Sequence, residues 1–204
     1  MNALVIIDYQ NDFLPGGPLG VPGGDEIVDP INRLIDGADL VVASQDWHPA
    51  SHGSFASNHT GTKPFETIEW NGMEQTLWPD HCVQGTTGAD FAAGLNWNRV
   101  EAIFRKGTDP QIDSYSAFFD NGHKRSTGLS GYLKSMNVTD VVVVGLATDF
   151  CVKFTALDAI AEGFRTIVPL ETCRGVDLNE GDVETALKEV TTAGAMVEDS
   201  FSFA

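Results

Sequence analysis

The chain has 204 residues, 42% hydrophobic and 20% charged, a balance that excludes a disordered chain and fits one α/β domain spanning 1–204. Twelve Lys plus Arg against 29 Asp plus Glu leave a net charge of -17, which excludes nucleic acid as a partner because phosphate binding needs a basic face. The same charge opposes adsorption to anionic membrane, and no apolar run reaches the roughly 18 residues expected of a spanning helix.

In chain order, residues 4–7 read as a first strand. Asp8 follows this short apolar run at once and no basic residue precedes it, so a secretory signal is not expected and the location is expected to be cytoplasmic. A helix over 26–36 places Ile27, Ile31, Leu34 and Ile35 on one face. Residues 39–44 form a second strand. The stretch 47–98, rich in Gly, Asn, Thr, Trp and His, is too long for a plain connection and is expected to carry function. Residues 99–105 form a third strand, and 140–145, with four consecutive valines, a fourth. A helix over 149–162 puts Phe150, Phe154, Leu157 and Ala161 on one face and turns Lys153, Asp158 and Glu162 elsewhere. A fifth strand over 166–170, a helix over 180–193 carrying Val183, Ala186, Leu187 and Val190, and a last short strand near 196–198 complete the series. Unbroken apolar runs suit parallel strands covered on both faces, and their alternation with helices predicts a doubly wound α/β sheet.

In such sheets ligands sit beyond the carboxyl ends of the strands. The first strand ends in Asp8, the second runs into Gln45-Asp46-Trp47-His48, the third into Lys106-Gly107, and the fourth into Leu146-Ala147-Thr148-Asp149-Phe150-Cys151. A carboxylate, an Asp-x-His pair, a lysine and a cysteine are therefore expected on one rim. Cys151 falls in the first turn of a helix with Thr148 as its N-cap, where free amides, the dipole and Lys106 would lower the thiol toward the nucleophilic thiolate. The plainer alternative is a buried core cysteine beside a solvated lysine. Asp8 would move protons to and from the sulfur and the leaving group, or else cap the turn into Asn11-Asp12. Three widely spaced cysteines make no disulfide framework, so all are expected to be reduced thiols. Asp46 and His48, two apart on extended backbone, face the same way, and His81 is the best source of a second imidazole. One carboxylate and two imidazoles with open positions suit a divalent ion, zinc, iron or manganese, with His52 and Ser54 as further ligand candidates. The alternative is a structural turn with Trp47 packed inside. His59 and His123 read as surface residues.

Together these motifs resemble a known family over nearly the whole chain. They comprise Ala3-Leu4-Val5-Ile6-Ile7-Asp8-Tyr9-Gln10-Asn11-Asp12-Phe13, Gln45-Asp46-Trp47-His48-Pro49, His52-Gly53-Ser54-Phe55-Ala56, Leu77-Trp78-Pro79-Asp80-His81-Cys82, Arg105-Lys106-Gly107 and Gly145-Leu146-Ala147-Thr148-Asp149-Phe150-Cys151-Val152. The family is the nicotinamidases of the isochorismatase-like cysteine hydrolases. The resemblance implies a three-layer α/β/α fold with a six-stranded, mostly parallel sheet, and hydrolysis of nicotinamide, with pyrazinamide as an analogue. It implies Cys151 as nucleophile, Asp8 as general base and acid, Lys106 as the supporting cation, and backbone amides of Ala147 and Cys151 as oxyanion hole, next to a cis peptide between Leu146 and Ala147. Asp46, His48 and His81 match the ligands of a metal that orients the pyridine ring, with His52, Ser54 or water as fourth ligand. Phe13 and Trp78 match the aromatic walls, and Leu146 and Phe150 are expected beside the substrate. A homo-oligomer is compatible with the resemblance. The alternatives are another amidase of the superfamily acting on a carbamoyl or ureido compound, and a non-catalytic metal-binding protein.

Overall fold

The computed structural model describes residues 1–203. In chain order it contains β1 (Asn2–Ile7), α1 (Val28–Gly37), β2 (Leu40–Asp46), the hairpin β3 (Thr67–Trp70) and β4 (Met73–Thr76), β5 (Ala102–Lys106), α2 (Leu129–Ser135), β6 (Asp140–Leu146), α3 (Lys153–Ala161), β7 (Arg165–Pro169), β8 (Cys173–Arg174), α4 (Asp182–Ala193) and β9 (Met196–Glu198). The main sheet runs β5-β2-β1-β6-β7-β9, and every pairing in it is parallel. A seventh, two-residue strand, β8, pairs with the end of β6 and was not expected.

Side chains alternate between the two faces of the sheet, and each face has its own core. Leu4, Ile6, Val41, Ala43, Val142 and Val144 pack against Ile31, Leu34 and Ile35 of α1. Ala3, Val5, Ile7, Val42, Val141 and Val143 pack against Leu129 and Leu133 of α2, Ala156 and Ala159 of α3, and Val190 of α4. Burying each Val, Leu or Ile contributes about 1.5–3 kcal/mol, which explains why these runs read so clearly as strands sealed on both sides. The result is the three-layer α/β/α sandwich. Among the described residues no helix is long and apolar enough to cross a membrane.

Counting only the six strands of the main path, their chain order across the sheet is third, second, first, fourth, fifth, sixth. The winding reverses between β1 and β6, and that switch point is where a crevice opens beyond the strand ends. Asp8 leaves β1 on one side of it, and the turn bearing Cys151 leaves β6 on the other.

Two local expectations are corrected. The helix over 149–162 begins as a π-helical turn, Thr148–Val152, before α3. The extra residue in that turn shifts the phase of the helix. The buried positions are therefore Asp149, Cys151, Val152, Thr155, Ala156, Asp158 and Ala159, while Phe154 is 36% exposed. Thr148 is not the N-cap: extended Ala147 occupies that position, no side chain caps the turn, and the Ala147 carbonyl accepts the N–H groups of Phe150 and Val152.

Candidate active site

Lys106, the last residue of β5, is fully enclosed at the crevice. Its Nζ lies 2.9 Å from Asp8 Oδ2, and it donates to Asp46 Oδ1 at 2.9 Å, to the Ser114 carbonyl at 2.9 Å and to Cys151 Sγ at 3.4 Å. The solvated lysine of the plainer reading is thus ruled out, and so is Asp8 as a turn cap. Asp8 Oδ1 accepts the Ser44 hydroxyl at 2.7 Å, which turns Oδ2 toward the lysine. Burial opposes the ammonium, but the carboxylates of Asp46 and Asp8 overcome it and hold the Lys106 pKa well above the lysine range. Burial raises Asp8 above the usual carboxylate value against the pull of Lys106.

Burial likewise pushes the Cys151 thiol well above its ordinary value, with Lys106 opposing. This corrects the expectation of a lowered thiol: in a site this enclosed, desolvation of the anion outweighs the neighbouring cation. Cys82 and Cys173 are also raised by burial, Cys173 to about 11. All three are free thiols, and of them only Cys151 faces the cavity described below.

Asp46 ends β2, and both imidazoles reach one of its oxygens: His48 Nε2 lies 3.1 Å and His81 Nε2 3.4 Å from Oδ2. Backbone carbonyls set the rings. His48 Nδ1–H donates to Gly107 O at 2.9 Å and His81 Nδ1–H to Pro79 O at 2.8 Å, which leaves each Nε2 as the free donor atom. One ligand atom from each of the three buried residues lies within 4.8 Å of the others, an arrangement that fits a divalent ion. His52 and Ser54 are not in this triad. They bond to each other, Nδ1 to Oγ at 2.7 Å, and His52 clusters instead with His48 and Asp113. Trp47 is half-buried, packed against the edge of the core and under the Arg105 guanidinium, 3.9 Å from the ring centre. His123 pairs with Asp158 at 3.1 Å, and His59 Nε2 bonds to Gly53 O.

One cavity joins the two groups. Asp46 and His81 line it, as do Cys151 and Ala147. Phe13 and Trp78 also line it, and Phe150 meets the Trp78 ring edge-on at 4.9 Å. Leu146 does not line it. As the last residue of β6 it points into the core, where its Cδ1 lies beneath Gly24. The peptide between Leu146 and Ala147 is cis.

Several residues escaped the sequence reading. Gln10, fully buried, brackets the Asp46 backbone: its Oε1 accepts Asp46 N–H and its Nε2 donates to Asp46 O, both at 2.8 Å. Asp12 accepts Cys82 N–H at 2.8 Å and so anchors the segment carrying His81. Leu19, Asp113, Tyr115 and Val176 complete the cavity. Gln10 and Asp12 sit inside the motif around Asp8, where polar residues after a buried strand are a usable signal. The other four come from segments with no periodicity.

Residues 2–201 match the isochorismatase domain. The chain is 49% identical over 197 residues to the nicotinamidase of Escherichia coli strain K12, covering 95% of this chain and 92% of that protein. A solved nicotinamidase/pyrazinamidase from Acinetobacter baumanii superposes with a TM-score of 0.94 at 49% identity, covering 97% and 95% of the two chains. The pyrazinamidase of Pyrococcus horikoshii, solved in complex with zinc, superposes with a TM-score of 0.77 at 36% identity, covering 96% and 97%. The chain belongs to the isochorismatase domain family, among its nicotinamidase-like hydrolases.

Proposed function

We propose that this protein hydrolyses nicotinamide to nicotinate and ammonia through a thioester on Cys151, and accepts pyrazinamide on the same grounds. The observation that carries this reading is the shared cavity: one small aromatic-walled space touches both Cys151 and the Asp46–His81 pair. One ring-borne amide can therefore reach the sulfur and the ligand cluster together. The nicotinamidases and pyrazinamidases among the relatives support the same substrate class.

On this reading Asp8 removes the thiol proton as Sγ attacks the amide carbon. A thiol held protonated by burial and a carboxyl raised by burial favour a proton transfer coupled to attack over a standing thiolate. Lys106, touching both groups, stabilises the anionic charge that passes between them. The N–H groups of Ala147 and Cys151 would hold the oxyanion at the start of the helical turn. Asp8 returns its proton to the departing ammonia, then takes one from the water that cleaves the thioester. Asp46, His48 and His81 would hold a divalent ion, zinc being our choice, which would supply Lewis-acid attraction for the pyridine nitrogen and so orient the ring. The whole chain acts as one hydrolase domain, working in the cytoplasm to return nicotinamide to NAD precursors.

The test is ammonia release from nicotinamide and from benzamide, before and after chelation. We expect release from nicotinamide alone, lost on chelation and restored by zinc, because benzamide lacks the nitrogen that seats the ring. Equal turnover of benzamide would remove the orienting role of the metal site. Failure of nicotinamide with retained turnover of a carbamoyl or ureido compound would move the substrate class.

A further inference from the structure

The turn that carries Cys151 holds a second buried acid that the chemistry above leaves unused. Asp149 is 4% exposed and spends both oxygens on consecutive backbone amides: Oδ1 accepts Val176 N–H at 2.9 Å and Oδ2 accepts Asp177 N–H at 2.7 Å. The segment it grips follows β8. It passes so close that a Cβ on Gly175 would lie 3.0 Å from Asp149 Oδ1 and inside the Val183 side chain, so only glycine fits there. Val176 lines the cavity. Of the lining residues, only Tyr115, Phe150 and Val176 are half-buried and the rest are buried, so these three form its mouth. Tyr115 and Phe150 brace each other, ring centres 5.5 Å apart. Val176 is placed through its backbone, by the Asp149 carboxylate.

We infer that Val176 is a specificity-determining residue that limits the size of ring admitted to the cavity, and that Asp149 is the positioning residue that sets it. The inference rests on the proposed reading of the cavity as the substrate site. The two amide bonds are part-buried and end on one buried carboxylate, so they hold the wall at a fixed depth. Asp149→Asn would replace one acceptor with an NH₂ group facing a backbone N–H, and so would release the segment at that point.

Access to Cys151 measures the mouth without relying on turnover. The ratio of Cys151 alkylation rates by iodoacetanilide and by iodoacetamide, read on the Cys151 peptide by mass spectrometry, reports the room available to an aromatic ring. Val176→Ala should raise this ratio about tenfold, the discrimination a pocket draws from one or two methyl groups, and Val176→Leu should lower it. Asp149→Asn should raise it in the same direction, and the double variant should not exceed Val176→Ala alone, because the acid acts through the valine. In the ammonia assay Asp149→Asn should raise KM for nicotinamide more than it lowers kcat. At least one ring-methylated nicotinamide should gain about tenfold in kcat/KM relative to nicotinamide in Val176→Ala. An unchanged alkylation ratio in both Val176 variants would overturn the inference. So would Asp149→Asn slowing both reagents equally, which would mean that Asp149 shapes the nucleophile's turn. If Asp149→Asn does not fold, the two Val176 variants, half-buried and differing in opposite senses, still decide the matter. A shifted ratio with no ammonia from nicotinamide would sink the substrate assignment and leave the mouth standing.

Discussion

At Lys106 two carboxylates, a carbonyl and a sulfur surround one ammonium, all within 3.4 Å and all out of water. The ammonium directs its three N–H donors to Asp46 Oδ1, Ser114 O and Cys151 Sγ, and Asp8 Oδ2 at 2.9 Å is the fourth contact, an ion pair. A guanidinium has a planar fork and cannot serve Asp8, Asp46 and Ser114 O at once. Lys106→Met would strand two buried carboxylates, a loss of about 3–5 kcal/mol in unfolding free energy by urea titration. Ammonia release is expected to vanish in both Lys106→Met and Lys106→Arg, although the second keeps the charge. Retention of most activity by the arginine variant would show that charge alone suffices. Asp8, Asp46, Lys106 and Cys151 were legible before any resemblance because each stands at, or a few residues beyond, the end of an apolar strand. Asp113, Tyr115 and Val176 have no such marker, because their roles come from contacts between segments distant in sequence.

Among the elements, the strands of the main sheet were legible because their apolar runs are buried on both faces. The hairpin was not, although Asn71-Gly72 is a strong short turn signal. Its first strand, Thr-Ile-Glu-Trp, alternates over only four residues, and its second, Met-Glu-Gln-Thr, does not alternate at all, so the signal was framed on one side only. Both turn residues have positive φ, 53° and 80°, as a type I′ turn demands. The hairpin carries Gln75, which donates to Asp113 at 3.0 Å, and Trp70, against which Gly53 packs. A Cβ at Gly72 would touch nothing, so Gly72→Ala isolates the backbone cost. The expected loss is about 1 kcal/mol in urea unfolding with kcat for ammonia release unchanged. A fall in kcat would tie the hairpin tip to the site. The π-helical turn before α3 has no sequence signature, which explains the displaced buried face of that helix.

For the molecule as a whole, a charge of -17 does not oppose a neutral amide and repels an anionic product, so the field favours release of nicotinate on the proposed reading. Stability should follow pH through His52. Burial first, and the neighbouring His48 second, hold its pKa at about 4 against 6.5 in the unfolded chain. The unfolded chain therefore takes up this proton at higher pH than the folded one. Stability is complete above pH 6.5 and is lost as the pH falls toward 4, by up to about 3 kcal/mol. Urea midpoints of the chelated protein should fall across that window in wild type and fall less in His52→Gln. Parallel curves would assign the acid limb to other groups.

Ammonia release from nicotinamide, measured for wild type and for Cys151→Ala with circular dichroism confirming that the variant folds, tests the cysteine chemistry most directly. Release by wild type and a loss of at least about 10³-fold in the variant are expected, since removing a nucleophile leaves only binding and oxyanion stabilisation. Comparable release by folded Cys151→Ala would contradict a thioester at Cys151 and place the chemistry on another group.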